Sequence, residues 1–320
     1  MTKLTRIQLT DLRSLTNGKP IAQGGRGSIY PVSPRRQLST EIVLNGKYLL
    51  KKPRYQTPGK NSDDFANHLD EITKRLRTDK SLFDSRMAVP RAIVEHNQAF
   101  SGFLMKEFSD GCYFTKTFSD GESVSALLEL KIFLNSESER AKLNVPQLTR
   151  TDRFQILADL FNTLALLHES GVVVGDLSGS NLLLQRKASK SGSLRVLFLD
   201  VDSFWFGGGR HPGGPESTLH WRSPEEMEIN ALPPSKATDV YKAALLVRRL
   251  LHQEVNTGSD SYDIYNSRIC NQVLIDAGGK SLAQLVSAAL NPKILQRPKA
   301  MELAFNFKAA AEKMFAKGTS

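Results

Sequence analysis

Short apolar runs separated by turn residues fill the first third of the chain and predict β-strands. KPIAQGGRGSIYPV contains two such runs around a glycine-rich turn, and EIVLNGKYLLKK predicts a hairpin through Asn45-Gly46. VPRAIVEHN and FSGFLMKEF predict a further strand pair. The exception is SDDFANHLDEITKRLR, where apolar residues recur at helical spacing and predict one helix.

Beyond about residue 108 the apolar positions follow helical spacing. SVSALLELKIFL predicts a first helix, and TRTDRFQILADLFNTLALLHESG predicts a longer one with a single apolar stripe. SKATDVYKAALLVRRLLHQ is apolar on most of its circumference, which predicts a buried helix. SLAQLVSAAL and PKAMELAFNFKAAAEKMFAK predict two more helices.

These patterns together predict an α+β fold. We expect a single domain with a β-rich N-terminal lobe of about residues 1–107 and a mainly α-helical C-terminal lobe of about residues 108–320.

The composition is that of a globular protein, with 40% hydrophobic and 24% charged residues among 320. The first residues, MTKLTRIQLTDLRS, contain no long apolar core, so we expect neither a signal peptide nor a membrane span. Cys112 and Cys270 are too few for a disulfide framework or a structural zinc site, which favours the reducing cytoplasm.

The net charge of +10 is spread over short clusters such as residues 51–54. No nucleic-acid-binding signature accompanies these clusters, so we do not expect a nucleic-acid partner. A basic surface also suits nucleoside phosphates and acidic proteins.

Two segments combine apolar flanks with acidic and amide side chains. VVVGDLSGSNLLL places Asp176 and Asn181 in one loop, and VLFLDVDSFWF places Asp200 and Asp202 after a buried run. Carboxylate and amide oxygens of this kind can share a Mg²⁺ ion that is bound together with phosphate. Taken singly, either aspartate could instead cap a turn, and we favour that interpretation for Asp202.

Two further segments could bind phosphates. Gly24 and Gly27 lie in AQGGRGSIYPV, which continues as a strand and therefore predicts a glycine flap or an ordinary hairpin, not a dinucleotide site. Lys51 ends the apolar run YLLK, is favoured over Lys52, and could be held by Glu71 of the following helix. Alternatively, Lys51 and Lys52 could be two solvent-exposed lysines at the end of a strand, and the sequence supports this interpretation equally well.

Taken in order, these segments resemble the eukaryotic-type protein kinase family, and among its members divergent bacterial serine/threonine kinases with Gly-Asp in the catalytic loop. The resemblance extends from about residue 22 to residue 298. The matching segments are the glycine flap at 22–30, the lysine strand at 48–51 with Glu71, the strand before the hinge at 103–108, the catalytic loop at 174–181, the metal motif at 200–202, the loop at 218–225 that resembles Ala-Pro-Glu, and Asp239 and Arg297.

The resemblance implies an ATP-dependent serine/threonine protein kinase with a bilobal kinase-like fold, whose partner is a protein with a serine or threonine acceptor. It implies that Asp176 is the base, that Lys51, Glu71 and Thr218 complete the catalytic set, and that Asn181 and Asp200 bind Mg²⁺ or Mn²⁺. Residues implied to contact ATP are Ala22, Gly24, Gly25, Gly27, Ile29, Lys51, Met105, Glu107, Phe108 and Leu183. Glu225 and Arg297 are implied to form a structural ion pair, and Asp239 to order the catalytic loop.

The chain also departs from the family pattern. Ala22 replaces the first glycine, Gly175 replaces the catalytic-loop arginine, and Ser178 stands where protein kinases keep a lysine. Two alternatives therefore stay open. VGDLSGSN resembles the loop of aminoglycoside and choline kinases, which act on small molecules, and a nucleotide-binding pseudokinase scaffold would need no turnover at all.

Overall fold

The structure is a computed structural model of the chain. It describes residues 3–24, 27–40, 42–44, 46–53, 61–79, 83–118, 121–135, 137–186, 194–206, 211–212, 218–228, 233–252 and 268–318. Gly25, one of the residues expected to contact ATP, lies outside these ranges.

The fold is α+β, as predicted, and its residues form two compact units. The first unit consists of the described residues of Met1–Phe108, Asp200–Ser203 and Gly209–Gly214. The second unit consists of those of Ser109–Leu199, Phe204–Gly208 and Pro215–Ser320.

A curled sheet of seven strands forms the first unit. The strands are β1 (Thr5–Gln8), β2 (Leu12–Ser14), β3 (Ala22–Gly24), β4 (Gly27–Pro34), β5 (Tyr48–Pro53), β6 (Ala92–His96) and β7 (Ala99–Lys106). Their order is β1-β6-β7-β5-β4-β2, with β3 also paired to β4. β1 runs parallel to β6, and the other pairs are antiparallel. β1 and β2 are the two edge strands of this sheet, and the short 3-10 helix Leu9–Asp11 connects them in the chain.

One face of this sheet carries a buried apolar cluster, which is one core of the unit, and the opposite face is also buried at Leu49 and Phe103. Strand alternation places Tyr48 and Leu50 of β5 in this core, and it places Leu49 and Lys51 on the opposite face. The helix α1 (Asn61–Leu76) contacts β7 and buries Leu69, Ile72 and Leu76 at helical spacing. The core residues are Ile7, Leu12, Val32, Ile42, Tyr48, Leu50, Ala92, Val94 and Leu104.

Gly27, at the start of β4, lies where a side chain would not fit. Its φ is +154°, and a Cβ there would overlap with the carbonyl oxygen of Lys52 on β5. We expect Gly27→Ala to lower the free energy of unfolding by about 1–3 kcal/mol, because the added methyl separates β4 from β5. Gly18→Ala is the control, since Gly18 also has a positive φ but no atom within 4 Å of the built Cβ. Equal effects of the two changes in denaturant titrations would contradict the steric explanation.

The second unit is mainly helical. Its helices are α2 (Glu137–Lys142), α3 (Arg150–Glu169), α4 (Lys236–His252), α5 (Arg268–Ala289) and α6 (Ala300–Gly318). α3 begins at a capping box in which Thr149 and Asp152 exchange hydrogen bonds, and α5 is interrupted at Gly279. α3 packs along α6, where the rings of Phe161 and Phe307 stack with centroids 5.2 Å apart. No helix among the described residues has the length and apolar character that a bilayer crossing requires.

Three antiparallel strand pairs accompany these helices. β8 (Tyr113–Thr117) pairs with β9 (Ser123–Leu127). β10 (Val172–Val173) pairs with β13 (Trp205–Phe206), and β11 (Leu182–Arg186) pairs with β12 (Leu194–Phe198). The last two pairs flank the loop that carries Asp176 and Asn181.

Two local predictions were wrong. SVSALLELKIFL is not one helix, because its first five residues form β9, which is completed by β8, and Leu130–Leu134 forms a 3-10 helix. The hairpin through Asn45-Gly46 does not form, since residues 42–44 are not in a strand and β5 pairs with β4 and β7 instead. Asn45 itself lies outside the described residues. The partner of β9 is the adjacent strand β8, which the local pattern did not predict, whereas β7, one of the two partners of β5, lies far along the chain.

Candidate functional site

Asp176 is the centre of a hydrogen-bonded group in the second unit. Its carboxylate is buried, and Oδ1 accepts from the backbone N–H and the hydroxyl of Thr218 at 2.8 and 2.9 Å. Asn181 donates through Nδ2 to Oδ2 and to the carbonyl oxygen of Asp176, at 3.0 and 2.7 Å. The loop thus presents one carboxylate whose orientation is set by a hydroxyl and an amide, and Thr218 lies in contact with Asp176.

Asp239, at the start of α4, binds the backbone of the loop that carries Asp176. Its two carboxylate oxygens accept from the backbone N–H groups of Val174 and Gly175, each at 2.8 Å, and Oδ2 lies 3.0 Å from Nε2 of His168. Asp239 is fully buried, so these donors are the partners that such a group requires. The predicted role of Asp239 in ordering the loop backbone is confirmed.

Lys242, one turn further along α4, is a contact that the sequence did not predict. Its ammonium is fully buried and donates to the carbonyl oxygen of Gly175 at 2.6 Å and to Glu226 at 2.8 Å. Gly175 itself has φ +75°, and a Cβ there would come 3.0 Å from the ring of Trp205. Glycine at this position therefore satisfies both the backbone conformation and the packing. A single lysine within the apolar run 240–247 of this helix was the available signal for the missed contact.

Glu225 and Arg297 form the predicted structural ion pair. The guanidinium donates through two nitrogens to the two carboxylate oxygens, both at 2.7 Å, and its plane lies over the ring of Tyr241. Burial opposes ionisation of the Glu225 carboxyl, but the hydrogen bonds from Arg297 outweigh burial and lower its pKa below the ordinary value. Thr238 adds a third donor at 3.0 Å.

A second polar group lies within the first unit. Nζ of Lys51 lies 2.7 Å from Oδ1 of Asp202 and 2.9 Å from Oδ1 of Asp200. The side chains of Lys51 and Asp202 are each 5% exposed, whereas that of Asp200 is 24% exposed. Burial disfavours the charged ammonium, but the two carboxylates outweigh burial and raise the pKa of Lys51 above its ordinary value. Lys51 is therefore a buried, fully charged cation at neutral pH.

The short 3-10 turn Val201–Ser203 fixes the two aspartates. Asp200 has the left-handed φ of +49°, and its carbonyl oxygen accepts from the N–H and the hydroxyl of Ser203 at 2.8 and 2.7 Å. The ring Nε2–H of buried His211 donates to the carbonyl oxygen of Asp202 at 2.9 Å. Just before the turn, the N–H of Leu199 donates to the carbonyl oxygen of Asn181 at 2.9 Å, which ties Asn181 to the residue that precedes Asp200.

The predicted ion pair between Lys51 and Glu71 is wrong. Glu71 contacts Arg75 at 2.9 Å and Lys74 at 3.4 Å, one turn along the partly exposed face of α1. The interpretation of Asp202 as only a turn cap is also wrong, because its carboxylate contacts Lys51. Lys51, not Lys52, is the buried lysine, since Nζ of Lys52 lies over the ring of Tyr30 at 5.3 Å.

The remaining residues expected to contact ATP fall in both units. Ala22 and Ile29 face each other across β3 and β4, as do Gly24 and Gly27, so the predicted glycine hairpin is present. Met105 is buried on β7, Glu107 is exposed and Phe108 is half-buried. Leu183 is fully buried on β11 of the second unit. Of the two aromatic residues that follow Ser203, Phe204 is fully buried and Trp205 is half-buried.

No protein-family model matches the chain, and no curated protein shows significant similarity to it.

Proposed function

We propose that the chain is an ATP-dependent serine/threonine protein kinase. The observation that supports this most directly is the buried Asp176 carboxylate with Thr218 and Asn181 as its hydrogen-bond donors. An acceptor-only carboxylate with a fixed orientation is the group that a hydroxyl acceptor needs as its base. We propose the kinase-like bilobal fold from the order of the motifs along the chain and from the division of the chain into a β-sheet unit and a mainly helical unit.

The proposed reaction transfers the γ-phosphoryl group of ATP to a protein hydroxyl. A bond forms between the hydroxyl oxygen and the γ-phosphorus, while the bond from that phosphorus to the bridging oxygen of ADP breaks. The hydroxyl proton passes to the Asp176 carboxylate, and ADP leaves with the electron pair of the broken bond. Lys51 would bind the inner phosphates of the nucleotide, which suits its permanent positive charge.

The reaction calls for a divalent cation, and we propose Asp200 of the first unit and Asn181 of the second as the residues that would hold Mg²⁺ or Mn²⁺. Asp200 offers a partly exposed carboxylate, and Asn181 offers its amide oxygen because Nδ2 is the atom that donates to Asp176. These are hard oxygen ligands, which Mg²⁺ prefers when phosphate supplies the others. When bound, the cation would neutralise charge on the phosphate oxygens.

A protein acceptor is favoured over a small molecule by the pair of Glu225 and Arg297. This pair anchors the segment that follows Thr218, which in the protein kinases that the sequence resembles is the loop facing a protein substrate. Both cysteines are buried thiols outside any disulfide, which suits a reducing compartment, and we propose the cytoplasm.

A transfer assay with γ-labelled ATP tests the proposal. The purified chain is incubated with Mg²⁺ and, separately, with a protein mixture, amino-sugars and amino-alcohols. We expect label in protein, recovered after acid hydrolysis as phosphoserine or phosphothreonine. Label only in a small acceptor would instead identify a small-molecule phosphotransferase. Tight ATP binding with no transfer to any acceptor would identify a pseudokinase scaffold.

A further inference from the structure

We propose that Asp202 is the residue that positions Lys51 for nucleotide binding, in place of a carboxylate from helix α1. This inference rests on the proposed function and names a positioning residue for its phosphate-binding lysine. It is carried by the contacts of three side chains, all within the first unit.

The two carboxylates that contact Lys51 differ in their access to solvent. Asp202 makes the shorter contact, 2.7 Å, and is enclosed together with Lys51, whereas Asp200 is open on one side. A ligand from solution can therefore reach Asp200 but not Asp202. If Asp200 serves a cation, as proposed above, Asp202 remains the anion that holds the ammonium of Lys51.

The backbone of Asp202 is held as firmly as its side chain. Val201, Asp202 and Ser203 are all buried. His211 donates to the carbonyl oxygen of Asp202, and its ring packs edge-on against His68 of α1 with centroids 4.5 Å apart. A carboxylate that contacts Lys51 and whose own backbone is held by His211 suits a residue whose task is to fix another side chain.

The α1 alternative, Glu71, is already paired with cations of its own helix. Its side chain is 31% exposed and contacts Arg75 and Lys74 at i+4 and i+3. Both ion pairs form between residues one turn apart on the same helix, so Glu71 has cationic partners without any contact to Lys51. Glu71 therefore forms ion pairs on the surface of α1, and Asp202 forms the buried contact with Lys51.

A kinetic comparison of Asp202→Asn, Asp202→Glu and Glu71→Gln tests the assignment. Losing a charge-assisted hydrogen bond corresponds to about 10–100-fold in kcat/KM for ATP, and we expect Asp202→Asn to show this loss chiefly as a raised KM. Asp202→Glu restores the charge and should recover part of the loss, which a purely structural role of the side chain would not predict. Glu71→Gln should change kcat/KM for ATP by less than about threefold, the scale of an exposed pair.

A double-mutant cycle on unfolding tests the pairing without any activity. The changes Lys51→Met and Asp202→Asn are measured singly and together, and the cycle is repeated with Glu71→Gln. We expect strongly non-additive shifts of the unfolding midpoint for Lys51 with Asp202 and additive shifts for Lys51 with Glu71. The reverse result in either the cycle or the kinetics would overturn the inference. If the cycle shows that Lys51 and Asp202 are coupled but the wild-type chain neither binds nor uses ATP, the pairing is upheld and the proposed function is rejected.

Discussion

Replacing Asp176 by asparagine is expected to lower the rate of phosphoryl transfer by about 10²–10⁴-fold, the usual contribution of a general base. Asparagine keeps the shape of aspartate but loses the negative charge and one acceptor. Its amide nitrogen would face either the two donors of Thr218 or the donor of Asn181, because these groups already occupy both carboxylate oxygens. The measurement is kcat with saturating Mg·ATP and a protein acceptor.

The matched control for this prediction is Thr218→Val. It removes the hydroxyl donor at 2.9 Å but keeps the backbone N–H contact at 2.8 Å, so the carboxylate stays charged and partly oriented. We expect a smaller loss of kcat than for Asp176→Asn. ATP affinity should be unchanged in both variants, since neither residue is assigned to the phosphates. A fully active Asp176→Asn variant would rule out Asp176 as the base.

The second large effect is expected on stability, from Arg297→Met. This change leaves the Glu225 carboxylate buried with only Thr238 as a side-chain donor. Breaking a buried ion pair at one end costs about 3–5 kcal/mol of the free energy of unfolding. Lys308→Met is the control, because Lys308 and Glu312 are 4.0 Å apart and 73% and 69% exposed. The control should shift the unfolding free energy by about 0–1 kcal/mol.

The penalty of Arg297→Met should depend on pH in a defined direction. In the folded wild type the pKa of Glu225 lies below its unfolded value, so its contribution is complete at neutral pH. The contribution is lost as pH falls through the lowered folded pKa. In the variant, burial without Arg297 disfavours the carboxylate, which protonates at higher pH. The difference in unfolding free energy should therefore begin to narrow above about pH 4.3, the ordinary value for glutamate, where the variant's carboxylate protonates, and it should go on narrowing as the pH falls through the lowered pKa of the wild type. A penalty that stays constant from neutral to acid pH would show that Glu225 is not the group responsible.

The candidate site was partly predictable from the sequence. Asp176 and Asn181 are five residues apart in one loop, so their contact follows from local geometry. Thr218, Asp239 and Arg297 were found through the order of motifs, and their contacts with the loop and with Glu225 are present. The partner of Lys51 was not predictable in this way. Asp200 and Asp202 lie about 150 residues away, and nothing in local pattern distinguishes them from Glu71 on the next helix.

The sequence by itself determined the elements whose signals are local. The helical spacing of apolar residues defines α3, and apolar residues on most of its circumference define the buried α4. Glycines define the hairpin of β3 and β4. Only the tertiary structure decided that β1 and β2 lie at the two edges of the sheet and that Lys51 pairs with Asp202. The physical reason is that helical periodicity and caps act between residues a few positions apart, whereas strand pairing and buried charge depend on partners that the chain brings together from a distance.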